Sequence, residues 1–191
     1  MSLDLALWHP AINGRIRGNA KMNRCKWMFC ISTALLAGNA IAADPITMAK
    51  PVPFADEAMI AGKIKKECDI QNQLAAYTEE YAREDQGLSI TFADSVRKDS
   101  PGMVLDLQIK DAVSAGNPVL GHRKSTLVAG TLYRDGEIIG KFVGRRNSMG
   151  GAFAGYKGSC SVLGRTVKVL GQDIAKWLKS PTMDAQLGDL E

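Results

Sequence analysis

The sequence predicts an α+β domain: a mainly antiparallel sheet of four to five strands with two helices packed on one face, linked by a disulfide. Three observations predict it. Met103, Leu105, Leu107 and Ile109 alternate with Asp106, Gln108 and Lys110, the two-residue period of a strand with one wet face. Residues 125–134 are apolar on both sides, as in a central strand, and run into Asp135-Gly136, a two-residue hairpin turn. Cys160, Leu163, Val167, Leu170, Ile174 and Trp177 recur every three or four residues, one continuous helical face.

The chain has 191 residues, and two segments precede that domain. From Met22 it reads as a secretory leader. Arg24 and Lys26 form a basic start, Met28–Gly38 an apolar run, and Ala40-x-Ala42 a cleavage site. The apolar run is far shorter than the roughly 20 residues that span a bilayer, so a membrane anchor is not expected. Asp44 and Pro45 then end the pattern, which disfavours a core helix. Cys25 and Cys30 lie before or inside the apolar run, so the chain lacks the cysteine placement of a lipoprotein. Residues 1–21 show neither apolar periodicity nor a leader pattern and read as an over-extended N-terminus, with Met22 the true start. The expected organisation is therefore 1–21, a signal peptide over 22–42, one domain over 43–180 and a flexible acidic tail over 181–191. Localisation is expected to be periplasmic or secreted, after cleavage near Ala42.

Processing alters the charge. The whole chain carries 24 basic and 20 acidic residues, a net charge of +4. Arg15, Arg17, Lys21, Arg24 and Lys26 against Asp4 place all of that excess before residue 43. The remaining 149 residues carry 19 charges of each sign, which removes net charge as an argument for nucleic-acid binding. The neutral total conceals a polarity: residues 43–111 carry a net −5 and residues 112–191 a net +5.

Processing also removes two of the four cysteines. Cys68 and Cys160 remain, an even pair in an oxidising compartment, and a disulfide between them is expected; two buried thiols acting as small hydrophobes are the alternative. Within the domain, residues 46–54 read as an edge strand because Pro51 and Pro53 cannot serve a central ladder. A helical segment reaches about Arg83. Its stripe of Ile60, Ile64 and Cys68 shifts phase to Ile70, Leu74, Tyr77 and Tyr81, which predicts a break near 68–72 with Asp69 or Asn72 as cap. Leu88, Ile90 and Phe92 alternate with Ser89 and Thr91 as a further strand, and Ser159 or Ser161 is expected to cap the last helix.

Candidate sites are few. The glycine-rich loop 150–158 joins a strand to a helix start with Arg145, Arg146 and Lys157 nearby, and backbone N–H groups there, Gly158 included, could hold an anion. It lacks both Gly-Lys-[Ser/Thr] and G-x-G-x-x-G, and the plainer reading is a tight turn that needs glycines. His122 is the single histidine after cleavage and cannot build a histidine zinc site. Glu79/Glu80 and Glu84/Asp85 are sequential and point apart on a helix. No catalytic constellation, metal site or cofactor site is expected.

Glu67-Cys68, Tyr133-Arg-Asp-Gly136, Arg146-x-Ser148-x-Gly150-Gly151-x-Phe153, Gly158-x-Cys160 and Asp173-Ile-Ala-x-Trp177-Leu178 occur in this order. Together they resemble a family of small uncharacterised bacterial envelope proteins grouped as a domain of unknown function. The resemblance covers about residues 46–180. It implies an α+β domain, an export signal and structural cysteines, and it supplies no activity. The expected function is a non-enzymatic binding or envelope-assembly module whose partner is another envelope protein, with no nucleic acid and no transmembrane span. The alternative is a small anionic-ligand binder using loop 150–158.

Overall fold

A computed structural model describes residues 44–117, 121–148 and 158–190. The proposed leader and over-extended start lie outside these residues, as do 150–157 of the glycine-rich loop. Six strands form one sheet in the order β2-β1-β3-β4-β5-β6: β1 (Ile46–Ala49), β2 (Ile90–Ala93), β3 (Met103–Asn117), β4 (Gly121–Arg134), β5 (Glu137–Ser148) and β6 (Ala185–Gly188). Helices α1 (Gly62–Glu67) and α2 (Ile70–Gln86) connect β1 to β2, and α3 (Ser159–Lys179) connects β5 to β6.

The centre is an antiparallel meander, β3–β4–β5, whose second turn is the expected one. Asp135 and Gly136 adopt φ of 51° and 85°, and positive φ at both central residues is what a two-residue hairpin with matching strand twist requires. The sheet as a whole is mixed rather than mainly antiparallel, and it has six strands and three helices where four to five and two were expected. β1 runs parallel to both β2 and β3, and β6 parallel to β5. A two-residue period identifies a strand but not its neighbours, and helical crossovers produce parallel pairs.

Two expectations about the ends need correction. β1 is an interior strand, not an edge. It stops at Ala49, so Pro51 and Pro53 fall beyond the ladder and cost it no donor. Residues 181–190 are not a loose tail: β6 pairs Ala185 with Phe142 and Leu187 with Gly144, and Ala185 and Leu187 pack on the core. Four residues carry too little alternation to announce a strand.

The helices lie on one face. Along α3 the stripe is as expected, with Leu163, Val167, Leu170 and Ile174 wholly buried. The break between α1 and α2 falls at Cys68–Asp69, and Asn72 Nδ2 donates to Asp69 Oδ1 at 2.7 Å. On α2 the buried set is Ile70, Leu74, Ala75, Thr78 and Ala82, with Tyr77 and Tyr81 at the margin. The cause is a close helix contact. A Cβ on Gly171 of α3 would stand 2.8 Å from Tyr77 Cβ and 2.9 Å from the Thr78 backbone N, so only small residues fit between the helices.

The disulfide is present. Cys68, at the end of α1, bonds Cys160, in the first turn of α3, with Cα atoms 4.9 Å apart and 92 residues of separation. In the chain-entropy view a loop of this size is worth about 4 kcal/mol. Replacing both cysteines by serine is expected to lower unfolding free energy by about 4 kcal/mol in urea titration. Thiol titration of the denatured, unreduced chain with its leader removed should find no free thiol.

Candidate functional site

Contacts along α3 define which end of the sheet each turn covers. Gly140, opposite Leu132, faces Trp177, and Gly144, opposite Val128, faces Leu170. Thr126 and Thr166 share a buried hydroxyl–hydroxyl hydrogen bond of 2.7 Å, and Thr166 Oγ1 also reaches the Leu163 carbonyl at 2.7 Å. The helix thus runs in the direction of β4, and its first turn overlies the strand just before Thr126. From Lys124 to Leu132 on β4 and from Gly140 to Ser148 on β5, before the bulge at Leu132/Tyr133, even-numbered residues face the helices and odd-numbered ones the open side.

This parity separates the two candidate arginines. Arg145 lies on the open side and Arg146 on the helix side. Arg146 Nε and Nη2 donate to the Asp173 carboxylate at 2.8 and 3.0 Å, and Nη1 donates to Asp189 Oδ1 at 3.0 Å. Asp189 Oδ2 in turn accepts the Asn147 N–H at 2.9 Å. The hydrogen bond to Asp173 above all raises the guanidinium above its ordinary pKa. Arg146 is therefore a clasp joining β5, α3 and the segment after β6, with two carboxylates already satisfying it.

Gly158 occupies the N-cap of α3, in place of the expected Ser159 or Ser161 side chain, and no side-chain cap bond is made. Lys157 and the rest of loop 150–157 lie outside the described residues. The structure thus brings Cys68 and Cys160 together, places Arg145 and Arg146 on opposite faces, and ties Arg146 to the body of α3 rather than to its start.

Two features escaped sequence reasoning. The first is Lys124, 2% exposed on the helix-facing side of β4, one strand step before Thr126. Its ladder neighbours are Ser114 and Ser148, and burial pulls its pKa below the ordinary lysine value of 10.5. The parity Lys124, Thr126, Val128, Gly130, Leu132 would have exposed it as a cation on the wet-free face. The second is a groove of about 530 Å³ on the open side, between β4, β5 and β6. Ala129 and Val143 floor it, Leu190 closes one side, and Thr131, Lys141 and Asp184 line the rest. At the other end of this face, Lys98 reaches Asp106 at 3.6 Å and Gly102 N–H donates to Asp135 Oδ1 at 2.7 Å. Among the described residues no group of three or more His, Cys, Asp or Glu could hold a metal ion, and no helix is long and apolar enough to cross a membrane.

No family model matches the chain, and no curated protein matches it. Among solved structures it is similar to a PelC dodecamer from Paraburkholderia phytofirmans, at 11% identity and a TM-score of 0.44, covering 69% of this chain and 88% of that one. A DUF330 protein from Xanthomonas campestris gives 11% identity and a TM-score of 0.48 over 71% of this chain and 83% of its own. A minor lipoprotein from Acinetobacter baumannii gives 11% and 0.35 over 70% and 92%. At these scores the likeness carries no functional information.

Two measurements test the electrostatic assignments. In the Arg146 clasp, Asp173→Ala should cost about 2 kcal/mol, because it removes the two-pronged partner of a part-buried guanidinium and leaves it Asp189 alone. Asp189→Ala, the more exposed partner, should cost about 1 kcal/mol. Urea titration giving equal losses would contradict the assignment. For Lys124, the folded pKa lies below the unfolded one, so the unfolded chain binds more protons between them and stability rises with pH there. Lys124→Met is therefore expected to be more stable than the parent at pH 7 in phosphate-free buffer. That margin should shrink as pH rises from the folded pKa toward 10.5 and be absent above it.

Proposed function

We propose that this chain is exported by its 22–42 leader, cleaved near Ala42, and acts in the bacterial envelope as a non-enzymatic docking module for another envelope protein. The groove on the open side of the sheet carries the reading. One face of the sheet is covered by α2 and α3, and the other presents an apolar floor, Ala129 and Val143, bordered by Lys141 and Asp184. An apolar strip with a charged margin of both signs suits an extended peptide of mixed character, which can place alternate side chains on the floor and polar atoms at the rim. The Cys68–Cys160 bond supports an oxidising destination, since such bonds persist outside the reducing cytosol.

A photo-crosslinking residue placed at Val143 in the full chain, expressed in its own host, is the direct test. A discrete adduct is expected in the envelope fraction. The same residue at Lys176, on the exposed back of α3, should give none. Adducts of equal yield from both positions, or none from Val143, would overturn the reading.

A further inference from the structure

The open side of the sheet is ordered in rows. The pairing of β3, β4 and β5 sets Asp106, Thr131 and Lys141 in one row and Gln108, Ala129 and Val143 in the next. Asp111, Leu127 and Arg145 form a third. All of these face away from the helices, because their strand neighbours Leu107, Ala112, Val128 and Phe142 are buried in the core. The irregularity between Ile109 and Asp111 is what turns an odd-numbered residue of β3 onto this face. The rows have a common sense. Acids stand on β3, bases on β5, and uncharged residues on β4 between them.

One copy cannot satisfy this pattern by itself. Strands lie about 4.8 Å apart, so the two ends of a row are separated by about 10 Å, beyond ion-pair reach. Among the described residues, Asp111, Lys141 and Arg145 belong to no ion pair, whereas Asp106 is met by Lys98 at 3.6 Å. The middle of the face is open and apolar: Val143 is 42% exposed and floors the groove with Ala129. At the hairpin end the segment 98–102 stands above the sheet. Lys98 anchors it to Asp106, and the Gly102 N–H to Asp135.

We propose that the open side packs against the open side of a second copy of this chain, about a two-fold axis running along β4. Such an axis lays β3 on the partner's β5 at the same row. Asp111 then meets the partner's Arg145, and Arg145 the partner's Asp111, the reciprocal contact of an isologous interface. Gln108 covers the partner's Val143, and the raised segment 98–102 of each copy falls over the groove of the other. An axis across the strands would instead oppose β5 to β5 and β3 to β3, like charge to like, which is costly. The three rows span roughly 300 Å² per copy by strand spacing, well under the ~800 Å² of a lasting complex. The dimer is therefore weak and reversible. The inference rests on the open side being the docking face and names its resting occupant, which another envelope protein would displace.

Sedimentation equilibrium of the chain purified after export should show a monomer–dimer equilibrium that weakens as salt is added. Asp111→Lys and Arg145→Glu should each raise the dissociation constant about tenfold or more, since each sets like charges opposite one another twice. An equimolar mixture of the two variants should recover the dimer, because every charge then meets its opposite across the interface. A mixture that stays monomeric would overturn the arrangement. A second measurement needs neither variant. The photo-reactive residue at Val143 in the purified chain should give a homodimer adduct that maps by mass spectrometry to β3 near Gln108. An adduct mapping to β5, or none, overturns the proposal. The two readings fail separately. A purified chain that stays monomeric while Val143 captures another protein in the envelope overturns the dimer alone. Homodimer adducts in both settings support the dimer and overturn the docking of another protein alone.

Discussion

Helix α3 lies over β3, β4 and β5 with Leu163, Val167, Leu170 and Ile174 removed from water, and most of the remaining structure is placed by that burial. Each such side chain contributes about 1.5–3 kcal/mol when fully buried, so the stripe outweighs any single polar contact in the domain. The polar contacts set its register. The disulfide holds its first turn, Thr126 its second, Arg146 its middle through Asp173, and Phe142 its end, where the ring meets Trp177 at 4.7 Å between centroids. A slide of α3 by one turn would separate all four. The sharp approach at Gly171 then leaves α2 a single seat beside it.

Much of this was readable from residue spacing, and the unreadable parts share physical causes. The α3 stripe, the Asp135-Gly136 turn, the meander and the break near Cys68 are local patterns, set by chain periodicity and turn chemistry. The interior position of β1 and the pairing of β6 are not local. They depend on which strand lies alongside after a helical crossover, and no period encodes that choice. The α2 face was misread because large side chains mark a core, whereas here Ala75, Thr78 and Ala82 make the contact and the tyrosines stay at its margin. At the candidate site, the disulfide partners followed from cysteine arithmetic. The clasp did not, because Arg146 meets residues 27 and 43 positions away. Lys124 was legible only once the inward parity of β4 was known.

Charge and topology are linked in this molecule. Long acid-free stretches on both sides of the hairpin concentrate basic groups at the end of the sheet where α3 begins. Asp173 and Asp189 reach into that region from the middle of α3 and from beyond β6, and both bind one arginine. Two of the acids in the basic half thus go to a structural task. That arrangement leaves the start of the helix electropositive while keeping the sheet edge closed.

The placement of the disulfide has a mechanical consequence. Cys68 and Cys160 enclose α2, β2 and the whole β3–β4–β5 meander within one covalent loop. Tension along the chain would travel from β1 through α1, across the sulfur bridge and along α3 to β6. The enclosed strands would carry none of that load directly. β1 is held by ladders on both sides, whereas β6 is held on one. The carboxy-terminal strand is therefore the part that peels first under load, and the sheet centre would keep its shape behind a covalent bypass.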